Sequence, residues 1–217
     1  MEAEERNAQD EWNEIWLEYE RINRGKMQAR WKKFGFDSMD RETSILDIGA
    51  GCGEFLHMLR EHGFKNLKGI EPERSLIDKD PYGLVEAGNC LDLGHVAEKY
   101  DVALLFGVLH HLRDFEEMKV AAANIRDVLK EGGRFFSVEP WKHAIRTIVT
   151  KLMLETPLRR VHPYFSIESR IWKIEKPLLS QWLELEQRFI GHVRGIGFRV
   201  VLDKRDLRAH YLIYEKL

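Results

Sequence analysis

The residues best suited to chemistry begin at Ile45-Leu-Asp-Ile-Gly-Ala-Gly-Cys-Gly-Glu54, a short apolar run that enters a glycine loop and then an amphipathic stretch. Gly49, Gly51 and Gly53 allow a backbone to turn tightly and approach a ligand closely, with no Cβ in the way. The spacing is G-x-G-x-G, and Glu54 stands where a dinucleotide fingerprint carries glycine. An acid there suits a pyrophosphate poorly, and Asp47 adds a second negative charge. A cationic or zwitterionic ligand fits better. Glu71 follows 18 residues after Gly53, where an acid can accept hydrogen bonds from a ribose. Its carboxylate can hold both hydroxyls of an unphosphorylated ribose and would repel a 2′-phosphate. His110, His111 and Glu139 complete the set. Histidine titrates near neutral pH and suits removal of a proton from an acceptor.

These residues need strands and helices to hold them. SILDIG (44–49), LKGIEP (67–72) and GLVEAG (83–88) read as short strands, and YDVALLFGVL (100–109) as a strand buried on both faces. EFLHMLREHG reads as an amphipathic helix ending at Gly63. A second helix follows Asp114, which with Glu117 forms a capping box, and runs to Gly132–Gly133. RFFSVEP (134–140) is the fifth strand. Alternation of this kind gives a parallel sheet with helices on both faces. FRVVLDK (198–204) and AHYLIYEK (209–216) are separated by only RDLR, which predicts an antiparallel hairpin at the sheet edge. Between them and the fifth strand lie 57 residues, more than one crossover helix needs.

In combination the motifs resemble those of class I S-adenosylmethionine-dependent methyltransferases. ILDIGAGCGEF is similar to the family's first motif, IEP to its ribose-binding acid and GNCLDL (88–93) to the loop over adenine. YDVALLFGVLHHLRD and LKEGGRFFSVEP are similar to the fourth and fifth strand segments, so the resemblance covers roughly residues 43–140 plus the hairpin. It implies an α/β fold: a doubly wound, Rossmann-like, seven-stranded and mostly parallel sheet with a C-terminal antiparallel hairpin. The chain then divides into an N-terminal helical cover (1–40), a cofactor-binding core (41–140), a helical lid or acceptor insertion (141–197) and the hairpin (198–217). The implied cofactor is S-adenosyl-L-methionine. Asp47, Gly49, Ala50, Gly51 and Gly53 would lie near its amino acid part and Glu71 at the ribose. Asn89, Cys90 and Leu91 would flank the adenine, and Pro72, Phe106 and Gly107 would also contact the cofactor. Many relatives carry Asp where Asn89 stands; its side-chain oxygen can still accept from the adenine amino group.

Methyl transfer from a sulfonium is an in-line displacement, so positioning is the main task. A hydroxyl acceptor needs a base, and His110 and His111 are the catalytic candidates. They are expected to point in different directions, so that at most one of them acts. Glu139 is a candidate for contact with the acceptor, and His57 and His62 read as surface residues. No metal site is evident.

Composition bounds the rest. The chain has 217 residues and a net charge of −2, with no apolar stretch long enough for a membrane span. Two cysteines form neither a disulfide framework nor a zinc set, which predicts a cytoplasmic setting. The near-neutral total hides contrasts. Residues 1–20 carry eight acids and one base, residues 21–33 six bases and no acid, and residues 141–176 eight bases and three acids. Residues 9 to 33 read as helix, with Trp12, Ile15, Trp16, Tyr19, Ile22 and Met27 on one face. The basic 141–176 stretch could be a solvated face, the rim of a site for an anionic acceptor, or a patch for an anionic membrane or nucleic acid. Nucleic acid is disfavoured, because the fourth strand exits in F-G-V-L rather than the tetrapeptide of base-amino methyltransferases. The expected enzyme methylates O or N of a small-molecule or glycan-like acceptor. The alternatives are an RNA or protein methyltransferase docking through the basic insertion, and a cofactor-binding partner subunit without turnover.

Overall fold

The computed structural model describes residues 24–141, 163–207 and 209–217. Seven strands form one sheet in the order β3-β2-β1-β4-β5-β7-β6. They are β1 (Ile45–Ile48), β2 (Leu67–Glu71), β3 (Val85–Ala87), β4 (Tyr100–Phe106), β5 (Leu129–Glu139), β6 (Phe198–Arg205) and β7 (His210–Lys216). The first five run parallel, and β7 lies antiparallel between β5 and β6. The chain reverses direction across the sheet between β3 and β4, so the carboxyl ends of β1, β2 and β4 open onto one crevice, the usual ligand position in such sheets.

Alternation along the strands sorts the core into two layers. Leu46, Ile48, Ala103, Leu105 and Phe135 face one side; Ile45, Val102, Leu104, Phe106, Phe136 and Val138 face the other. The described helices are α1 (Arg24–Phe34), α2 (Glu54–Glu61), the short α3 (Arg74–Ile77), α4 (Phe115–Val128) and α5 (Pro163–Gly195). Helices α1 and α2 cover the Phe106 side through Trp31, Phe34, Phe55, Leu56 and Leu59. Phe34 stacks on Phe106 with ring centroids 5.6 Å apart. Helices α4 and α5 cover the other side, where Met118, Ala121, Ala122 and Ile125 meet Trp182, Phe189, Ile190 and Val193.

Two boundaries differ from expectation. Helix α4 ends at Val128 and β5 starts at once with Leu129, which pairs with Tyr100 before a bulge. The helical period carries Leu129 onto α4 and the expected helix runs to Gly132–Gly133, but pairing with Tyr100 places Leu129 on the sheet instead. The insertion after β5 supplies α5, a 33-residue helix with Pro177 inside it on an exposed position. Trp182 Nε1 donates to the Pro140 carbonyl at 2.8 Å, tying α5 to the end of β5. On β7, His210 ties the same helix to the hairpin: its ring nitrogens face Glu186 Oε1 at 2.6 Å and Asp203 Oδ1 at 2.8 Å. The expected aromatic face from Trp12 to Ile22 and the basic run 142–162 lie outside the described residues. Among the described residues no helix is long and apolar enough to cross a membrane.

Candidate active site

A cavity of about 600 Å³ opens at the carboxyl ends of β1, β2 and β4. The glycine loop forms one wall. Gly49 and Gly51 have φ of +76° and +58°, and a Cβ on Gly49 would stand 2.5 Å from Val108 Cγ2. The Val108 side chain fills the space that a side chain on Gly49 would need. Glu71 ends β2 on the same cavity and is held by two backbone donors, Gly51 N–H at 2.9 Å and Glu73 N–H at 3.1 Å. Burial pushes its carboxyl above the ordinary range, and the two donors pull it part of the way back.

The loop after β3 supplies Asn89, Cys90 and Leu91 to the wall. Asn89 Oδ1 accepts from Leu91 N–H at 2.9 Å, so this side chain shapes its own turn. Asn124 on α4 donates to the Cys90 carbonyl at 3.0 Å and fastens the loop to the helix. Burial pushes the Cys90 thiol up to about 11, so it is an uncharged wall group. Pro72, Phe106 and Gly107 also line the cavity.

The two histidines part company. His111 is exposed and lines the cavity, whereas His110 is buried away from it. His110 Nδ1 meets Glu139 Oε2 at 2.7 Å, and Glu139 Oε1 accepts from Val108 N–H at 2.9 Å and Leu109 N–H at 2.8 Å. Glu139 is 1% exposed. Expected at the acceptor, it instead braces the turn that carries His111, because a buried carboxylate must satisfy its oxygens nearby.

Asp47, Ala50 and Gly53 stand behind the wall rather than on it. Asp47 points to the face covered by α1, where strand alternation sends it with Ile45. Burial raises its carboxyl to about 7 against the lowering influence of Arg30, and Glu71 adds to the rise. Arg30, on α1, lies with its guanidinium carbon 4.8 Å from the Phe106 ring centroid. Sequence reasoning missed Arg30, although the six bases of residues 21–33 were a signal. It also missed Ile48, Glu73, Leu76, Gly88, Val108, Leu112, Arg113 and Glu117 on the wall. His57 is bonded to Asp80 at 2.8 Å, while His62 is exposed. Among the described residues no group of three His, Cys, Asp or Glu side chains is placed to hold a metal ion.

The wall carries three carboxylates, Glu71, Glu73 and Glu117, against one guanidinium, Arg113. Such a set of acceptors suits a nucleoside bearing a sulfonium and an ammonium group, and like charge disfavours a phosphate. The fold is that of the class I S-adenosylmethionine-dependent methyltransferases. The sequence profile of the methyltransferase domain family matches residues 18–192, and the chain belongs to that family. This match takes in part of the N-terminal cover and most of the insertion, a wider span than 43–140. A stretch of 75 residues, 35% of the chain, is 37% identical to EEF1A lysine methyltransferase 2 of Danio rerio, and covers 30% of that protein. In fold the chain is similar to an O-methyltransferase family protein from Burkholderia thailandensis, with a TM-score of 0.64 and 18% identity over 99% of this chain and 61% of that one. It is also similar to a SAM-dependent methyltransferase from Methanosarcina mazei, with a TM-score of 0.59 and 17% identity over 85% and 97%. The cofactor is S-adenosylmethionine.

Proposed function

We propose that this cavity is the cofactor site and that the enzyme methylates oxygen or nitrogen of a small-molecule or glycan-like, anionic acceptor. The observation that carries the cofactor placement is Glu71, held at the end of β2 against the Gly49–Gly51 loop on one cavity wall. A carboxylate has about four acceptor sites, and two backbone donors leave capacity for the two hydroxyls of a ribose. Asp47, Ala50 and Gly53 support the loop from behind, Gly49 and Gly51 admit the amino acid part, and Pro72 adjoins the ribose. Cys90 and Leu91 flank the base in the turn that Asn89 shapes, with Phe106 and Gly107 as the remaining wall. When bound, the cofactor supplies an activated methyl group on a sulfonium.

His111 is the residue that takes the proton of a hydroxyl acceptor, since it lines the cavity. His110 acts as a positioning residue through Glu139. The basic composition of residues 141–176 supports an anionic acceptor. Cys52 and Cys90 are not joined in a disulfide, which supports a cytoplasmic setting. A protein lysine as acceptor is the second reading, favoured by the 75-residue similarity.

Calorimetry with S-adenosylhomocysteine tests the cofactor site, and absence of binding at millimolar ligand would overturn it. A metabolite library and a cell-extract protein fraction, each incubated with labelled methyl donor, then test the acceptor. Label in an anionic metabolite is the expected result. Label confined to protein lysine would replace the first reading with the second.

A further inference from the structure

Behind the glycine loop stands a buried carboxylate that the proposed roles leave unused. The Asp80 side chain is 1% exposed and lies in the turn between α3 and β3. Its Oδ1 accepts from Tyr82 N–H at 3.0 Å and faces His57 Nε2 at 2.8 Å. Its Oδ2 accepts from Val85 N–H at 2.9 Å and from Leu84 N–H. Burial alone would push the Asp80 carboxyl up, but these four donors hold it below the ordinary range. An ionised carboxylate can only accept, so the His57 ring carries a proton on Nε2.

Two of the residues that this carboxylate fixes bear on one glycine. A Cβ on Gly53 would stand 3.0 Å from His57 Nε2 and 3.0 Å from Val85 Cγ2, so their side chains close the space behind it. Gly53, with φ of +79°, has no side chain of its own to hold it in place. Its N–H donates to the Ala50 carbonyl at 2.9 Å, and between them Gly51 N–H donates to Glu71. A shift at Gly53 therefore passes to the wall that receives the ligand. Tyr82 closes the outer side. Its ring meets the His57 ring edge-on with centroids 4.9 Å apart, and the Arg60 guanidinium carbon lies 4.7 Å from its centroid.

We infer that His57, clamped by Asp80, is a positioning residue of the cofactor site and holds the Gly49–Gly53 loop in its binding conformation before the ligand arrives. Loss of the clamp shifts the cost of ordering the loop onto the binding step. The role rests on the cavity being the cofactor site, which neither His57 nor Asp80 lines.

Calorimetry with S-adenosylhomocysteine on the full chain tests this role, at a temperature where circular dichroism shows the variants folded. His57→Phe keeps a ring behind Gly53 but cannot donate to Asp80, and should weaken binding about tenfold. Asp80→Asn sets an NH2 group against converging donors and should weaken it at least as much. His57→Gln, whose amide nitrogen can take the place of Nε2, should restore affinity to within about threefold of wild type. Ser44→Ala removes a 2.6 Å bond to Asp101 at the amino end of β1, and should lower the melting temperature with affinity unchanged. Wild-type affinity in His57→Phe and Asp80→Asn, or equal weakening in His57→Gln and His57→Phe, would overturn the assignment alone. So would an equal loss in Ser44→Ala, which would trace the effect to general destabilisation. Wild type that binds no S-adenosylhomocysteine would overturn the cofactor site and the assignment with it.

Discussion

Replacing Asp47 with Asn should remove most of a stability loss that the wild-type protein suffers between pH 5 and pH 8. Asp47 is buried at the end of β1, and that burial, opposed by Arg30 and reinforced by Glu71, raises its carboxyl from 3.8 to about 7. Between those two values the native protein holds a proton that the unfolded chain has released. Stability therefore falls as pH rises, with a slope of about 1.4 kcal/mol per pH unit. The loss is small at the acidic end of the window and complete above pH 7. Integrated from pH 5 to pH 8 it amounts to about 2.6 kcal/mol. Urea unfolding of both proteins at the two pH values measures it, because every other titrating group cancels in the double difference. Asp47→Asn should gain about 2–3 kcal/mol relative to wild type on going from pH 5 to pH 8. Parallel behaviour of the two proteins, within about 0.5 kcal/mol, would mean that Asp47 is ionised throughout. Arg30 would then outweigh the cost of burial, and the reasoning from burial would fail.

Other substitutions test neighbouring parts of the site. Glu71→Ala should weaken S-adenosylhomocysteine binding by about 1–3 kcal/mol, since it removes a charged acceptor and frees the Gly51 N–H; calorimetry reads the change. Gly49→Ala should destabilise the protein by about 1–3 kcal/mol through its positive φ and the clash with Val108, and Val108→Ala should recover part of the loss in denaturant unfolding. Glu139→Gln should cost about 1.5–3 kcal/mol of stability, because three donors converge on that buried carboxylate; thermal unfolding checks it. His111→Ala should slow single-turnover transfer to a hydroxyl acceptor most strongly where wild type has a deprotonated imidazole. His110→Ala should lower the rate with an unchanged pH profile, and wild-type rates for both variants across pH 6–9 would exclude either as the base.

Much of this architecture was legible because strands and loops carry their own chemistry. The Ile45–Ile48 run and the glycines after it can be little other than a buried strand and a backbone-lined turn. Glu71 could be placed from spacing alone, since β2 must end level with β1. The histidines show where spacing fails. His110 and His111 are adjacent, and only the turn that Glu139 holds decides which of them reaches the cavity. Glu139 itself was legible as functional but not in its role, because its donors lie about 30 residues away in the chain. Helix α5 falls within the segment read as a helical insertion (141–197), but its extent was not legible. Leu179, Trp182, Glu186, Phe189 and Val193 keep a helical period, and the helix passes through Pro177 to place them against α4 and the sheet. Glu117 was read as part of a capping box with Asp114, and Arg113 was not singled out. The position of both on a cavity wall depends on how α4 docks against the 89–91 turn.

The position of β7 also governs the order in which the enzyme can be built. Strand β6 is synthesised before β7 but pairs only with it, so β6 has no place on the sheet until its successor emerges. Meanwhile the edge of β5 from Arg134 to Glu139, with Phe135, Phe136 and Val138, stands without its final neighbour. Until then the chain carries an open apolar edge, the kind of surface that recruits other strands. Pairing of β7 closes that edge and sets His210 opposite Glu139 at its end.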